Sequence, residues 1–165
     1  AVAALRRAEE ALVPLAETDP AAAVDLGRVR TLLGRALYEL GRPTDAAEVL
    51  LAARRGLEAA GPPAGRYLGL SLSNYGLVLH GLGRHPAADE AFVASAAALE
   101  PRLAGPPPPD GDARADLAVT LTNHGLLLSE VGRRDDARRA LERAVALQAE
   151  AAAARPELRA LARQE

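Results

Sequence analysis

The fold is decided by Gly34-Arg35-Ala36-Leu37-Tyr38-Glu39-Leu40-Gly41-Arg42-Pro43-Thr44-Asp45-Ala46-Ala47-Glu48-Val49-Leu50. Around Gly41, a glycine stands seven residues before, an alanine five after and a large apolar residue nine after. The same frame returns as Gly76, Gly83, Ala88 and Phe92, and again as Gly125, Gly132, Ala137 and Leu141. Each central glycine is followed by arginine, and Leu37, Leu79 and Leu128 stand four before it. Leu40, Leu82 and Val131 stand one before it, so apolar residues recur at a spacing of three and four ahead of the glycine, a helical stripe. A glycine at the end of that stripe suits a helix C-cap in the left-handed conformation. Pro43 and Pro86 follow where a new helix accepts a first-turn proline. In the third copy Asp135 and Asp136 put negative charge at that helix start, complementing the dipole. The glycine seven before the cap and the alanine five after it fall where two antiparallel helices touch, and a larger side chain would push them apart. Each copy is therefore expected to be a helical hairpin, helix A followed by helix B.

Composition agrees with this. The chain has 165 residues, 20 basic and 22 acidic, for a formal charge of -2. That near-balance argues against general nucleic-acid binding. Cysteine is absent, which excludes disulfides, thiolate catalysis and cysteine metal sites. No apolar run approaches the roughly 20 residues of a membrane span. The chain is 49% hydrophobic but only 2% aromatic, so alanine and leucine favour helices while strand formers are scarce. Such a core has little bulk, and its helices must approach closely. Every basic residue is arginine, and lysine and isoleucine are both missing, a pattern of GC-rich coding rather than of selection for guanidinium chemistry.

Helices are expected over 2–16, 20–40, 44–60, 66–82, 86–103, 113–131, 134–153 and 156–163. Asp19-Pro20 and Asp112 are suited to helix starts. Gly61-Pro62-Pro63-Ala64-Gly65 and the stretch from Gly105 to Asp112 break the helical pattern. The Pro106–Pro109 run reads as a stiff spacer between repeats, the other reading being a polyproline ligand.

Residues 20–154 resemble the tetratricopeptide repeat. A small residue also falls twelve after each central glycine, as Ala53, Ser95 and Ala144, and Asn74 and Asn123 match a common asparagine of the family where the first copy has Leu32. The early tryptophan of the family is replaced by Arg30, Leu72 and Leu121. Central glycines are 42 and 49 residues apart, against a family period of about 34. The longer period is similar to kinesin light chains and to bacterial regulatory arrays. The resemblance implies an all-α, right-handed superhelical array of antiparallel hairpins with seven or eight helices. Residues 1–16 would be a partial repeat, 20–60, 66–104 and 113–154 three full ones, and 156–164 a capping or partial helix. Leu5 and Ala8 align with Leu141 and Ala144, which places the cap glycine of that first helix ahead of residue 1 and suggests a piece of a longer protein.

The resemblance also implies a cytoplasmic, non-catalytic module that binds a peptide or protein segment along the A helices. Carried over, the groove positions are Arg28, Thr31, Arg35 and Tyr38, with Leu32 and Glu39, in the first repeat. The second contributes Ser73, Asn74, Leu77 and His80, with Leu70 and Gly81. The third contributes Thr122, Asn123, Leu126 and Glu130, with Val119 and Ser129. Spacing alone puts Arg28, Thr31, Arg35 and Tyr38 on one helical face. Asn74 and Asn123 can bond an extended backbone whatever its sequence; alternatively they hold the neighbouring helix. Arg28 and Arg35 can grip a carboxylate or remain solvated. The two-carboxylate clamp of chaperone-binding members is disfavoured, since later repeats have Val119 and Asn123 at the basic places.

No histidine has the i, i+4 histidine or glutamate partner of a helical zinc site, so no metal is expected, and His124 reads as a half-buried structural residue. The run Arg133, Arg134, Arg138, Arg139 and Arg143 reads as an outer face with Asp135–Arg139 and Arg138–Glu142 pairs. No phosphate loop, nucleophile elbow or facing carboxylate pair is visible, so neither enzyme activity nor a cofactor is expected. The competing expectation is an intramolecular scaffold or self-association module packing on neighbouring domains.

Overall fold

Asp19 accepts a hydrogen bond from the Ala21 backbone N–H at 2.8 Å, and Pro20 opens the helix behind it. This start and those that follow were obtained from a computed structural model, which describes residues 1–104 and 113–153. Among these residues the chain forms seven α-helices and no strand. They are α1 (Val2–Ala16), α2 (Pro20–Glu39), α3 (Pro43–Ala60), α4 (Gly65–Gly81), α5 (His85–Leu99), α6 (Ala113–Glu130) and α7 (Arg134–Ala153). Short 3-10 turns at Pro62–Ala64 and Glu100–Arg102 follow α3 and α5.

The Gly-Arg step ends one helix and begins the next within two residues. Gly41, Gly83 and Gly132 take φ of 72°, 71° and 84°, a region only glycine enters cheaply. Their N–H groups donate to Tyr38, His80 and Ser129, and the following arginine N–H groups donate to Leu37, Leu79 and Leu128, at 2.8–3.2 Å. This six-to-one and five-to-two pairing is the Schellman arrangement, made three times. The same arginines start the next helix: Arg42, Arg84 and Arg133 carbonyls accept from Ala46, Ala88 and Ala137 at 2.9–3.0 Å. With no slack between them, each pair of helices must fold back antiparallel.

The hairpin seams are built on glycine. A Cβ at Gly34 would lie 2.4 Å from Leu50, one at Gly76 2.8 Å from Phe92, and one at Gly125 2.7 Å from Leu141. The glycine seven before the cap thus receives the large residue nine after it, while Ala46, Ala88 and Ala137 are buried alongside. A second tier escaped the sequence expectation. A Cβ at Gly27 would lie 2.4 Å from Leu57 and one at Gly69 2.5 Å from Leu99, both glycines fourteen before their caps. Around these seams pack Leu33, Leu37, Leu50 and Val78, then Leu79, Phe92 and Leu127, then Leu99, Leu117, Leu121 and Leu147. Burying each such side chain contributes about 1.5–3 kcal/mol.

Most helix bounds fall within one residue of expectation. The fifth does not: it stops at Leu99 and passes into the 3-10 turn Glu100–Arg102 instead of running to 103. Pro101 explains this, because it has no N–H to donate and its ring clashes with the preceding turn. The expected helix 156–163, the Pro106–Pro109 run and Asp112 lie outside the described residues.

Consecutive helices pack throughout, and α2 also touches α4, as α4 touches α6. No comparable contacts join α3 to α5 or α5 to α7. The A helices therefore present one continuous face.

Candidate functional site

That face carries two clefts. The first, about 320 Å³, lies between α2 and α4 and is lined by Arg28, Thr31, Leu32, Arg66, Tyr67 and Leu70. Arg28 and Arg66 stand 5.9 and 5.6 Å from the Tyr67 ring centre, a distance at which a guanidinium is attracted to the ring face. Arg66 also binds Asp116 of α6 at 2.7 Å, and both side chains are largely buried. Arg28 pairs with Asp25 at 3.1 Å in the open. The second cleft, about 270 Å³, spans α2, α4 and α6 and is lined by Tyr38, Leu77, His80, Gly81, Asn123 and Leu126. Here Gly81 admits the Tyr38 hydroxyl, which lies 2.7 Å from where a Cβ would be. On the same face Leu32, Val119 and Leu126 are each about half exposed (49%, 56% and 56%).

Of the expected groove residues, Arg28, Thr31, Tyr38, Leu77, His80, Asn123 and Leu126 touch these clefts. Thr31 does so only at its edge, for it is buried and its hydroxyl donates to the Gly27 carbonyl at 2.8 Å. Ser73 lines neither cleft. It is buried in a polar seam where its hydroxyl lies 3.1 Å from Thr120, itself 3.2 Å from Ser95, which donates to the Gly69 carbonyl at 2.7 Å. The seam joins α4, α5 and α6. Arg35 is exposed and engaged with Glu39 at 2.8 Å. Thr122 donates to the Ala118 carbonyl within its own helix. Asn74 is half-buried outside both clefts.

Glu130, expected in the groove, sits at the end of α6 against His80, Nε2 to Oε2 2.7 Å. The hydrogen bond with His80 holds its carboxyl below the usual glutamate range, with burial opposing it. His124 is the expected half-buried structural histidine: its Nε2 lies 2.5 Å from Asp89 of α5, which also accepts from Arg133 at 2.9 Å. The basic run pairs differently from expectation. Arg138 meets Asp135, and Arg139 and Arg133 meet Asp136, all at i, i+3. Both Asp135 and Asp136 sit in the first turn of α7, one turn before Arg138 and Arg139, whereas Arg133 precedes the helix. The Arg133 bond lowers the Asp136 carboxyl below its ordinary value.

Another cleft, about 450 Å³, is elsewhere. It lies under the α1–α2 turn against α3, and alanine and glycine dominate its wall, with Glu17, Thr18, Asp19 and Arg30 at its polar side. Nothing in the repeat frame pointed to it. Among the described residues no helix is long and apolar enough to cross a membrane.

No family model matches the chain, and no curated protein matches it significantly. The described residues form seven α-helices, folded back in pairs.

Proposed function

We propose that this chain is a tetratricopeptide-like array and that it works without catalysis, holding a peptide or protein segment along the face of α2, α4 and α6. The right-handed superhelix belongs to the same proposal. The observation that carries it is the pair of clefts between successive A helices, bordered by half-exposed Leu32 and Leu126 and by Asn123. Small apolar hollows with a few polar groups suit alternate side chains of an extended segment. Arginine at one end and Asn123 at the other supply donors for carbonyls and carboxylates. The repeated Schellman caps and glycine seams support the family reading, since they recur at the spacing of the frame.

The test is a peptide array presented to the protein and to Leu126→Arg and Asn74→Ala/Asn123→Ala variants. Selected peptides should bind the parent and lose about tenfold or more with Leu126→Arg, the order of a moderate interface residue. Equal binding by all three proteins refutes the groove. A parent that binds no peptide but self-associates through this face supports the scaffold reading instead.

A further inference from the structure

Three residues remote in sequence converge where the second hairpin meets the third. His80 is next to last in α4, His85 opens α5 and Glu130 closes α6. The tight turn at Gly83 returns the chain so that both imidazoles reach the same carboxylate. His80 Nε2 lies 2.7 Å from Glu130 Oε2, and His85 Nε2 lies 3.6 Å from Glu130 Oε1. The two rings meet edge to face, centres 5.7 Å apart at 72°. One ligand atom from each of the three residues falls within 4.8 Å of the others.

We propose that His80, His85 and Glu130 bind one borderline divalent cation of the zinc type. Two imidazoles and one carboxylate are a donor set that zinc accepts, whereas calcium and magnesium prefer all-oxygen sites. Bonds of about 2.0–2.1 Å in a tetrahedron put ligand atoms roughly 3.3 Å apart. The 2.7 Å contact must open and the widest gap, at most 4.8 Å, must close. Both are small rotations of side chains that stand partly in solvent, with exposures of 21%, 33% and 55%. The fourth position faces that solvent and takes water.

The juxtaposition is particular to this junction. One repeat earlier the corresponding places are Tyr38, Pro43 and Gly81, which offer no such set. A cation here ties the ends of α4 and α6 through the start of α5. The proposal stands apart from the peptide reading, since it concerns only these three side chains.

The experiment uses chelator-treated protein titrated with zinc by calorimetry, with cobalt(II) absorption as a second probe. The expected result is one equivalent bound in the micromolar range, an intense four-coordinate cobalt band, and a Tm that rises with added zinc. His80→Asn, His85→Asn and Glu130→Gln should each weaken binding by more than about 100-fold, beyond what outer-shell partners cost. His124→Asn should bind as the parent does, because that ring lies with Asp89. His85, a third exposed, is the ligand whose loss least disturbs packing, and far-UV circular dichroism checks that each variant is folded. Binding only at millimolar zinc, or micromolar binding that survives His85→Asn in a folded variant, overturns the site.

Discussion

Two glycines inside helices should answer the same substitution with opposite signs. Gly34 in α2 and Gly56 in α3 both lie within helices, where alanine is favoured over glycine by about 0.8–1 kcal/mol. At Gly56 nothing stands within 4 Å of a new Cβ, so Gly56→Ala should stabilise by most of that amount. At Gly34 the Cβ would sit 2.4 Å from Leu50 Cγ, far inside contact distance, and Leu50 is fully buried with nowhere to retreat. Overpacking of this kind costs about 1–3 kcal/mol. Set against the propensity gain, Gly34→Ala should destabilise by up to about 2 kcal/mol, leaving the variants about 1–3 kcal/mol apart. Urea unfolding measures this as a change of midpoint at constant slope, and each kcal/mol should move Tm by roughly 2–4 °C. A double variant isolates the cause. Leu50→Ala alone should cost about 2–5 kcal/mol, and Gly34→Ala on top of it should cost little, because the leucine is gone. If Gly34→Ala stabilises as Gly56→Ala does, or if its cost persists unchanged beside Ala at position 50, the seam does not pack as described.

Three further outcomes follow from the polar contacts. Asp89→Ala removes the acceptor shared by His124 and Arg133 and should cost about 1–2 kcal/mol in urea unfolding, since His124 is largely enclosed; no change would mean that the ring does not depend on it. Thr120→Val breaks the buried seam to Ser73 and Ser95 and should cost about 1–2 kcal/mol, whereas Thr31→Val loses only a bond to its own helix and should cost less; the reverse order contradicts the seam. The Asp136 carboxyl titrates below the ordinary aspartate value because Arg133 donates to it, so this pair stabilises above the ordinary value and loses that contribution as pH falls through the lowered one. Arg133→Ala should raise the Asp136 titration midpoint seen by carboxyl NMR, and an unmoved midpoint would remove the assigned cause.

The hairpin was legible because its contacts recur at fixed separations. Gly34 with Leu50, Gly76 with Phe92 and Gly125 with Leu141 are each sixteen residues apart, spanned by a turn of invariant length. A repeated spacing in sequence then means a repeated contact in space. The second tier obeys the same logic at Gly27 and Gly69, thirty residues before Leu57 and Leu99, but the third copy has Ala118 and an exposed Gln148 at those two places, so the pattern appears twice and escapes notice. Helix α5 was drawn too long because the helical stripe runs past Leu99, while Pro101 acts one turn back from where it stands.

Contacts between repeats were not legible, since they cross segments of unequal length. The frame advances 42 residues from the first cap to the second and 49 to the third. His80 and Glu130 are 50 apart, Arg66 and Asp116 likewise 50, and Asp89 and His124 are 35 apart. A search for metal ligands at helical spacing cannot see the first pair, because its residues lie on different helices. A register rule does connect them. Tyr38, three before its cap, packs on Gly81, two before the next cap, and His80 meets Glu130 at those same two places. Successive A helices are thus in one register despite unequal linkers, which means the helix faces set the stacking and the linkers only follow.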